Sequence, residues 1–385
     1  MADRIVMLVR NAYTHDTRVE KEARTLTDAG FEVTVVADAA PGQPERETRD
    51  GSTVIRVPRT AAAIPGLRFL LHEWRLARRL TELRPTYLHA HDSNALLAVA
   101  IAAGRRRVPF VLDAHELWLG RPPRDRPAPY RFAFRTWYTL LERLLIPRAA
   151  AVVTVSPPIA RHLERRYRLP AVELVPNYPD IGRPVERREI RDLVPRIPAS
   201  APIVLHLGAY LPDRGLEQLV EALVTLDGAH LVVLGVGSRA PTLAELAARL
   251  GIGDRVHLVP PVPSDEVVDY TASATIGVAP IVPTTLNNAY SLPNKLFQYM
   301  AAGVPVLASR LPQLTEIVAG SDAGVTVNTS DVRALAAALR SLLDDPDRLD
   351  EMGSNARRAV EQRYSWERSA TTLRSVYARM AERRR

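Results

Sequence analysis

Short apolar runs alternate with amphipathic helical segments through the first half of the chain. Between the first two runs, Val19, Ala23, Leu26 and Ala29 recur at helical spacing after Asp16, which we expect to cap the helix. Near-continuous apolar strands joined by helices predict a parallel sheet that is covered on both faces. The expected strands are Ile5–Val9, Val33–Ala37, Val54–Val57, Tyr87–Ala90, Phe110–Ala114, Ala151–Ser156 and Val172–Pro176.

A proline-rich polar segment, Pro176–Arg188, interrupts this alternation and is predicted to be a linker. The pattern then resumes, so the sequence predicts an α/β protein with one domain over residues 1–180 and another over residues 189–364. Two doubly wound, Rossmann-like domains facing across a cleft would bind ligands at the carboxyl ends of their strands. The strands expected in the second domain are Ile203–Gly208, His230–Gly235, Val256–Pro260, Thr275–Pro280, Val304–Ser309 and Gly324–Val327.

Composition narrows the class of protein. The 385 residues are 46% hydrophobic, which is enough for two domains with separate cores. No apolar run is long enough to span a bilayer, and the first run is followed by Asn11 and His15 without a cleavage site, so we expect a cytoplasmic protein. The absence of cysteine excludes disulfides, thiolate catalysis and cysteine metal sites.

The formal charge of +8 lies entirely in the first half of the chain. Two basic stretches there, Gly66–Arg84 and Arg121–Arg148, interleave arginine with aromatic residues and leucine. That composition suits an inner membrane surface, an anionic acceptor or an ordinary solvated helix face, and the last is the default interpretation. Nucleic acid is the least expected partner, because no zinc-finger or RNA-binding signature accompanies the charge. Lysine occurs only as Lys21 and Lys295.

The segment SLPNKLFQYMAAGVPVLAS, residues 291–309, has the outline of a ligand site. A polar turn leads into a helix whose first turn would contain Asn294 and Lys295. Unpaired N–H groups and the helix dipole favour an anion such as a diphosphate at that position. Gly303 would end the helix, and Val304–Ala308 has the composition of a buried strand.

This segment closely resembles the donor-binding segment of the family 4 retaining glycosyltransferases, which have the GT-B fold. The resemblance implies sugar transfer from a nucleotide diphosphate sugar to an acceptor, with no metal and no cofactor. The acceptor would be a lipid-linked sugar, a polysaccharide or a small-molecule aglycone. It also implies that the final helix, residues 365–385, packs back on the first domain. The only Asp-x-Asp string, Asp345–Asp347, is better explained by helix capping than by metal binding.

The resemblance also implies site residues. Relatives carry an arginine and a lysine near the donor diphosphate, and the matching positions here are Ala209 and Arg214. Two glutamates of the family correspond to Tyr290 and Gln298, the latter at the ribose. The donor-binding residues expected from the resemblance are Gly208, Arg214, Gly235, Val259, Tyr290, Ser291, Leu292, Asn294, Lys295 and Gln298.

His115 follows a strand end in FVLDAHELW, where the family places a histidine near the reacting sugar. We expect His115, Arg214 and Lys295 to be catalytic, and Asn11, Tyr13 and His91 to lie on the acceptor side. Two alternatives remain at this stage. One is a GT-B sugar-nucleotide epimerase, and the other is a non-catalytic nucleotide-sugar-binding relative, which the absence of both glutamates would suit.

Overall fold

The computed structural model describes residues 2–14, 16–60, 65–120, 123 and 126–384. For Pro65 it describes the backbone alone. His15, Arg121 and residue 385 lie outside this range, and with them the start of the second basic stretch and the end of the expected final helix. Contacts divide the chain into two compact units, residues 1–176 with 369–385 and residues 177–368.

The first unit contains one eight-stranded sheet in the order β3-β4-β2-β1-β5-β6-β7-β8. Its pairs are parallel except for the antiparallel pair of β3 with β4. The elements are β1 (Arg4–Leu8), α1 (Thr17–Asp28), β2 (Glu32–Asp38), β3 (Arg46–Arg49), β4 (Ser52–Val57), α2 (Pro65–Glu82), β5 (Tyr87–His91), α3 (Leu96–Arg106), β6 (Phe110–Ala114), α4 (Ala128–Leu145), β7 (Ala151–Thr154), α5 (Pro157–Tyr167) and β8 (Glu173–Leu174).

The second unit contains a six-stranded parallel sheet in the order β11-β10-β9-β12-β13-β14. The strand order reverses between β9 and β12, which is where doubly wound sheets bind ligands. The elements are α6 (Ile190–Leu193), β9 (Ile203–Leu207), α7 (Leu216–Leu223), β10 (His230–Leu234), α8 (Ala240–Arg249), β11 (Val256–Val259), α9 (Val267–Thr271), β12 (Ile276–Ala279), α10 (Leu286–Tyr290), α11 (Asn294–Ala301), β13 (Val306–Ser309), α12 (Pro312–Gly320), β14 (Gly324–Val327), α13 (Val332–Leu343) and α14 (Pro346–Arg363). The last helix, α15 (Trp366–Glu382), begins in this unit and belongs to the first unit from Ser369 onwards.

These sheets confirm the predicted α/β class with two Rossmann-like domains. The predicted strands are all present, shifted by up to two residues at their ends. The sequence pattern missed β3, because its residues RETR are polar and it only extends the edge of the sheet beside β4. Ala29 was expected on the buried face of α1, but the helix ends at Asp28 and Ala29 is exposed.

Helix starts follow the expected capping chemistry. The Asp16 carboxylate accepts a hydrogen bond from the Val19 N–H, and Asp345 accepts one from the Arg348 N–H at the start of α14. Capping by Asp345 is therefore confirmed. Gly303 directly follows Ala302, the C-cap of α11, with a φ of 70°, as expected of a glycine after a helix end.

The segment predicted as a linker is anchored to α9. Asp269 accepts hydrogen bonds from the Glu186 N–H at 3.0 Å and from Arg183 Nη2 at 2.6 Å. The unit boundary consequently falls at Pro176, and residues 177–188 group with the second unit.

Helix α15 groups with the first unit from Ser369 onwards. Within that unit, the Ser369 hydroxyl donates to the Pro176 carbonyl at 2.8 Å, and Tyr377 is fully buried against Tyr87 and Phe31. No helix within the described ranges is both long enough and apolar enough to cross a bilayer.

Candidate functional site

Glycines bring the backbones of neighbouring strands close together at the carboxyl edge of the second sheet. A Cβ atom on Gly235 would lie 2.2 Å from the Gly208 carbonyl oxygen, and one on Gly215 would lie 2.2 Å from that of Pro280. Gly208 and Gly215 also have positive φ values of 103° and 63°. Larger side chains are therefore excluded from this edge, which leaves backbone exposed where the strand order reverses.

Helix α11 is fixed to the same edge by Tyr299. Its hydroxyl accepts a hydrogen bond from the Leu207 N–H at 2.9 Å and donates to the Val278 carbonyl at 3.0 Å. A Cβ atom on Gly277 would lie 2.3 Å from Cγ of the Tyr299 ring, so the ring fits only because residue 277 is glycine. Because Tyr299 lies one turn after Lys295, this contact with β9 and β12 sets the position of the helix start.

Lys295 lies over the end of β9. Its Nζ atom is 2.8 Å from Nε2 of His206, a fully buried residue of β9, and 3.8 Å from the position of a Cβ on Gly208. Burial and the neighbouring charge of Arg214 lower the pKa of Lys295 well below its usual range. Burial, Lys295 and Arg214 likewise lower the pKa of His206, so its ring is neutral and accepts from Lys295. This environment would favour an anionic ligand.

The structure brings together the predicted donor residues Gly208, Gly235, Arg214 and Lys295. Gln298 is half-buried on the face of α11 that also contains Asn294 and Lys295, one turn earlier, and Asn294 is exposed. Pro293 is the N-cap residue of this helix and makes no side-chain hydrogen bond to its first-turn N–H groups. These N–H groups add the partial positive charge expected at a helix start.

Other predicted donor residues serve the local fold. The Ser291 hydroxyl donates to the Asn288 carbonyl at 2.9 Å, and Leu292 packs against the core. Tyr290 is the last residue of α10. The Val259 carbonyl accepts from the Gly235 N–H at 2.9 Å and from the Tyr210 hydroxyl at 3.0 Å, so it is already engaged within the protein.

In the first unit, a buried carboxylate organises the residues around His115. Asp113, in β6, accepts from Arg18 Nε at 2.8 Å and from Arg18 Nη2 at 2.6 Å. Its Oδ2 atom also lies 2.8 Å from His115 Nε2 and 3.3 Å from His91 Nδ1. Burial opposes the ionised form, but Arg18 and His115 hold the pKa of Asp113 well below its usual range. Asp113 is therefore a buried anion shared by three partners.

His115 is the cationic member of this cluster that reaches the surface. Asp92 accepts from its backbone N–H at 2.9 Å and lies 3.5 Å from Nδ1. Burial lowers the pKa of His115, but the charges of Asp92 and Asp113 outweigh it and raise the pKa to about 10. The ring is 21% exposed, so a charged imidazolium is available to a ligand.

His91 and Tyr13, two of the three predicted acceptor-side residues, are less accessible than His115. His91 is buried beneath His115, and burial lowers its pKa, a placement that favours a supporting role. Tyr13 is also buried, with the Arg49 guanidinium 5.0 Å from its ring centre. Asn11 is exposed, but its amide donates to Asp16 and its carbonyl oxygen accepts from the Tyr13 N–H. Both contacts order the loop after β1.

Four buried side chains beside this cluster lie close enough together to hold a metal ion: Glu22, His89, His91 and Asp113. Arg18 already supplies a cation, 3.1 Å from Glu22 and 2.6 Å from Asp113. The two histidine rings are stacked at 4.5 Å, with an angle of 13° between their planes, so their nitrogen lone pairs do not converge on one point. Burial and Asp113 raise the pKa of Glu22 well above its usual range. This geometry favours a proton-sharing network over a metal site.

Sequence reasoning missed Arg18, Asp113 and His206. Each carries a signal in hindsight, because Asp113 and His206 interrupt otherwise apolar strands and Arg18 lies on the buried face of α1. A buried charge or imidazole requires a partner. The Asp113 partner lies 95 residues away and the His206 partner 89 residues away, so the pairing could not be deduced from spacing.

Comparison with known proteins identifies relatives of both units. Residues 16–183 match the family model described as Glycosyltransferase Family 4, and residues 201–345 match the one described as Glycosyl transferases group 1. A D-inositol 3-phosphate glycosyltransferase of Thermobispora bispora is 29% identical, with 94% of this chain and 88% of the relative aligned. A GDP-mannose-dependent alpha-(1-6)-phosphatidylinositol monomannoside mannosyltransferase of Mycolicibacterium smegmatis is 26% identical over 88% of this chain and 87% of its own.

The fold has solved counterparts. A sucrose-phosphate synthase from Thermosynechococcus elongatus superposes with a TM-score of 0.81 at 20% identity, covering 99% of both chains. WaaG, a glycosyltransferase involved in lipopolysaccharide biosynthesis, gives a TM-score of 0.72 at 17% identity, covering 96% of this chain and 99% of its own. At these identities the likeness concerns the fold alone.

Proposed function

Because this chain is a glycosyltransferase of family 4 with the GT-B fold, we propose that it transfers a sugar from a nucleotide diphosphate sugar to an acceptor hydroxyl, with retention and without a metal ion. The observation that carries the proposal is the arrangement of Lys295 and Arg214 at the glycine-lined end of β9. Together with the start of α11, they suit the two negative charges of a diphosphate. The GDP-mannose-dependent relative supports this class of donor.

Two clusters of residues have separate roles in the proposed reaction, one around Lys295 and the other around His115. As the bond from sugar to diphosphate breaks, negative charge grows on the diphosphate oxygen, where Lys295, Arg214 and the first-turn N–H groups of α11 would stabilise it. The acceptor hydroxyl attacks from the face that the diphosphate leaves and gives its proton to a phosphate oxygen. The His115 imidazolium would donate a hydrogen bond to the reacting sugar.

The names of two relatives include an acceptor, and these names guide the choice of acceptor for this chain. One relative is named for D-inositol 3-phosphate and another for phosphatidylinositol monomannoside. These names support a small phosphorylated polyol or a lipid-linked sugar as the acceptor, ahead of a polysaccharide or another aglycone.

A ligand screen followed by a transfer assay tests the proposal. Nucleoside diphosphates are screened by thermal shift, since a ligand at 100 times its dissociation constant adds about 2.7 kcal/mol to the free energy of unfolding. The matching nucleotide sugar is then supplied with D-inositol 3-phosphate in excess chelator, and the anomeric configuration of the product is read by NMR. Loss of transfer with chelator, recovered with magnesium, would contradict the metal-independent mechanism. Epimer formation without acceptor would identify an epimerase instead.

A further inference from the structure

Large apolar side chains at the surface of the first unit are concentrated on α2 and α4. Phe132 is 74% exposed and Trp74 is 48% exposed, values that are unusual for residues of this size. The exposed residues on the two helices are Leu67, Leu70, Leu71, Trp74, Tyr130, Phe132, Trp137, Leu140 and Leu144. We call this set the apolar patch.

The patch lies on two helices that contact each other. On α2 its residues recur at intervals of three and four, opposite the buried Leu76 and Leu80. On α4, Trp137, Leu140 and Leu144 form a similar stripe. Phe69 of α2 and Trp137 of α4 meet edge to face, with ring centres 5.8 Å apart. Large exposed apolar side chains that are concentrated on two adjacent helices mark an interaction site more often than scattered single residues do.

Basic side chains are exposed on the same two helices as the patch. The exposed arginines of the two helices are Arg68, Arg75, Arg78, Arg131, Arg135 and Arg143. Glu82 is the one exposed acidic residue in the described parts of these helices, and Arg78 binds it at 2.8 Å. The other two carboxylates, Glu73 and Glu142, are buried. Glu73 pairs with Arg10, and Glu142 accepts from the Ser93 hydroxyl.

We propose that α2 and α4 dock on an anionic membrane surface, with the apolar patch entering the headgroup region and the arginines contacting lipid phosphates. Aromatic and leucine side chains bordered by arginine are typical of interfacial helices, because arginine stems extend along apolar surface while the charge stays in water. A second copy of the chain fits this face poorly. A twofold interface would place the same patch against itself and oppose arginine to arginine.

Vesicle sedimentation tests this inference independently of the proposed reaction. The protein is spun with vesicles of phosphatidylcholine alone and of phosphatidylcholine with phosphatidylglycerol, at low and high salt. We expect binding to the anionic vesicles that weakens in high salt. The double variant Phe132→Ser with Leu140→Ser should bind at least about tenfold more weakly, because it removes two inserted apolar side chains. Val224→Ser, at an exposed apolar position of the second unit, is the matched control.

A charge-reversal pair keeps the inference testable if the apolar variants fold poorly. Arg131→Glu with Arg135→Glu should weaken binding to anionic vesicles by about tenfold or more and remove most of its salt dependence. Arg333→Glu on α13 is the matched control, and a thermal melt without ligand verifies the fold of each variant. Wild-type sedimentation equal for neutral and anionic vesicles would overturn the proposal. A dimer in light scattering that the patch variants convert to monomer would assign the patch to a second copy.

Discussion

The clusters around His115 and Lys295 hold their basic groups in opposite ways. Asp92 and Asp113 raise the pKa of His115 to about 10 despite its burial, so that cluster balances its own charge. Burial and Arg214 lower the pKa of Lys295, whose nearest polar partner is the neutral ring of His206. Within the described part of the chain, no carboxylate lies at ion-pair distance from Lys295. The first cluster is therefore preorganised, whereas the second would be completed electrostatically by an anionic ligand.

Replacing His115 should have the largest effect on turnover. His115→Gln keeps a hydrogen-bonding side chain but removes the positive charge, and we expect kcat to fall about 100- to 1,000-fold, as when one preorganised donor is lost at a transition state. Binding of the nucleoside diphosphate should be nearly unchanged. Steady-state kinetics and calorimetry measure the two quantities, with His162→Gln on α5 as the control exchange. An unchanged kcat would remove His115 from the mechanism.

The same variant tests whether the first cluster holds His115 charged. Because the folded pKa of about 10 exceeds the unfolded value of about 6.5, the folded state binds the extra proton between these pH values. The resulting stabilisation is fully present below about pH 6.5 and is lost as the pH rises through about 10. Urea unfolding should show wild type losing roughly 3 to 5 kcal/mol relative to His115→Gln over that window, since each pKa unit corresponds to about 1.4 kcal/mol. A constant difference would contradict the assigned charge.

Lys295→Ala probes the second cluster and should weaken nucleoside diphosphate binding about 10- to 100-fold, because a charge-assisted hydrogen bond contributes roughly 1.5 to 3 kcal/mol. The diphosphate should also raise the lowered pKa of Lys295, so binding should take up a proton and weaken as the pH rises. Calorimetry in buffers with different ionisation heats measures this uptake, which the variant should lack. Lys21→Ala, at the only other lysine, is the control. Normal affinity in Lys295→Ala would move the anion site elsewhere.

The sequence predicted more of the second cluster than of the first. The turn, helix and glycine around Lys295 are contiguous, so local rules were sufficient to place Asn294, Lys295 and Gly303. The first cluster depends on Arg18 and Asp113, which come from separate elements and meet only after the sheet forms. Apolar strands were found because their pattern is local, whereas β3 was missed because its polar residues give no such pattern.

The smallest effect is expected at Gln298, the residue of the second cluster that is predicted to contact the ribose of the donor. Gln298 lies one turn after Lys295 on α11, and the family resemblance implies that this position contacts the ribose. If Gln298 contacts the ribose hydroxyls, Gln298→Glu should keep or improve donor affinity, because a carboxylate accepts from both hydroxyls with charge assistance. Gln298→Ala should lose about 0.5 to 1.5 kcal/mol, which is roughly tenfold at most.

The ribose contact itself is isolated by comparing a nucleoside diphosphate with its 2′-deoxy form. Wild type should prefer the ribose form, and Gln298→Ala should discriminate less between the two, because the group that contacts the hydroxyl is gone. Thermal melts show first that each variant is folded, so that a change in affinity is not a loss of protein. Equal discrimination in wild type and Gln298→Ala would show that this side chain does not touch the ribose. The donor site would then depend on the cations and helix start alone, with the ribose bound by other groups.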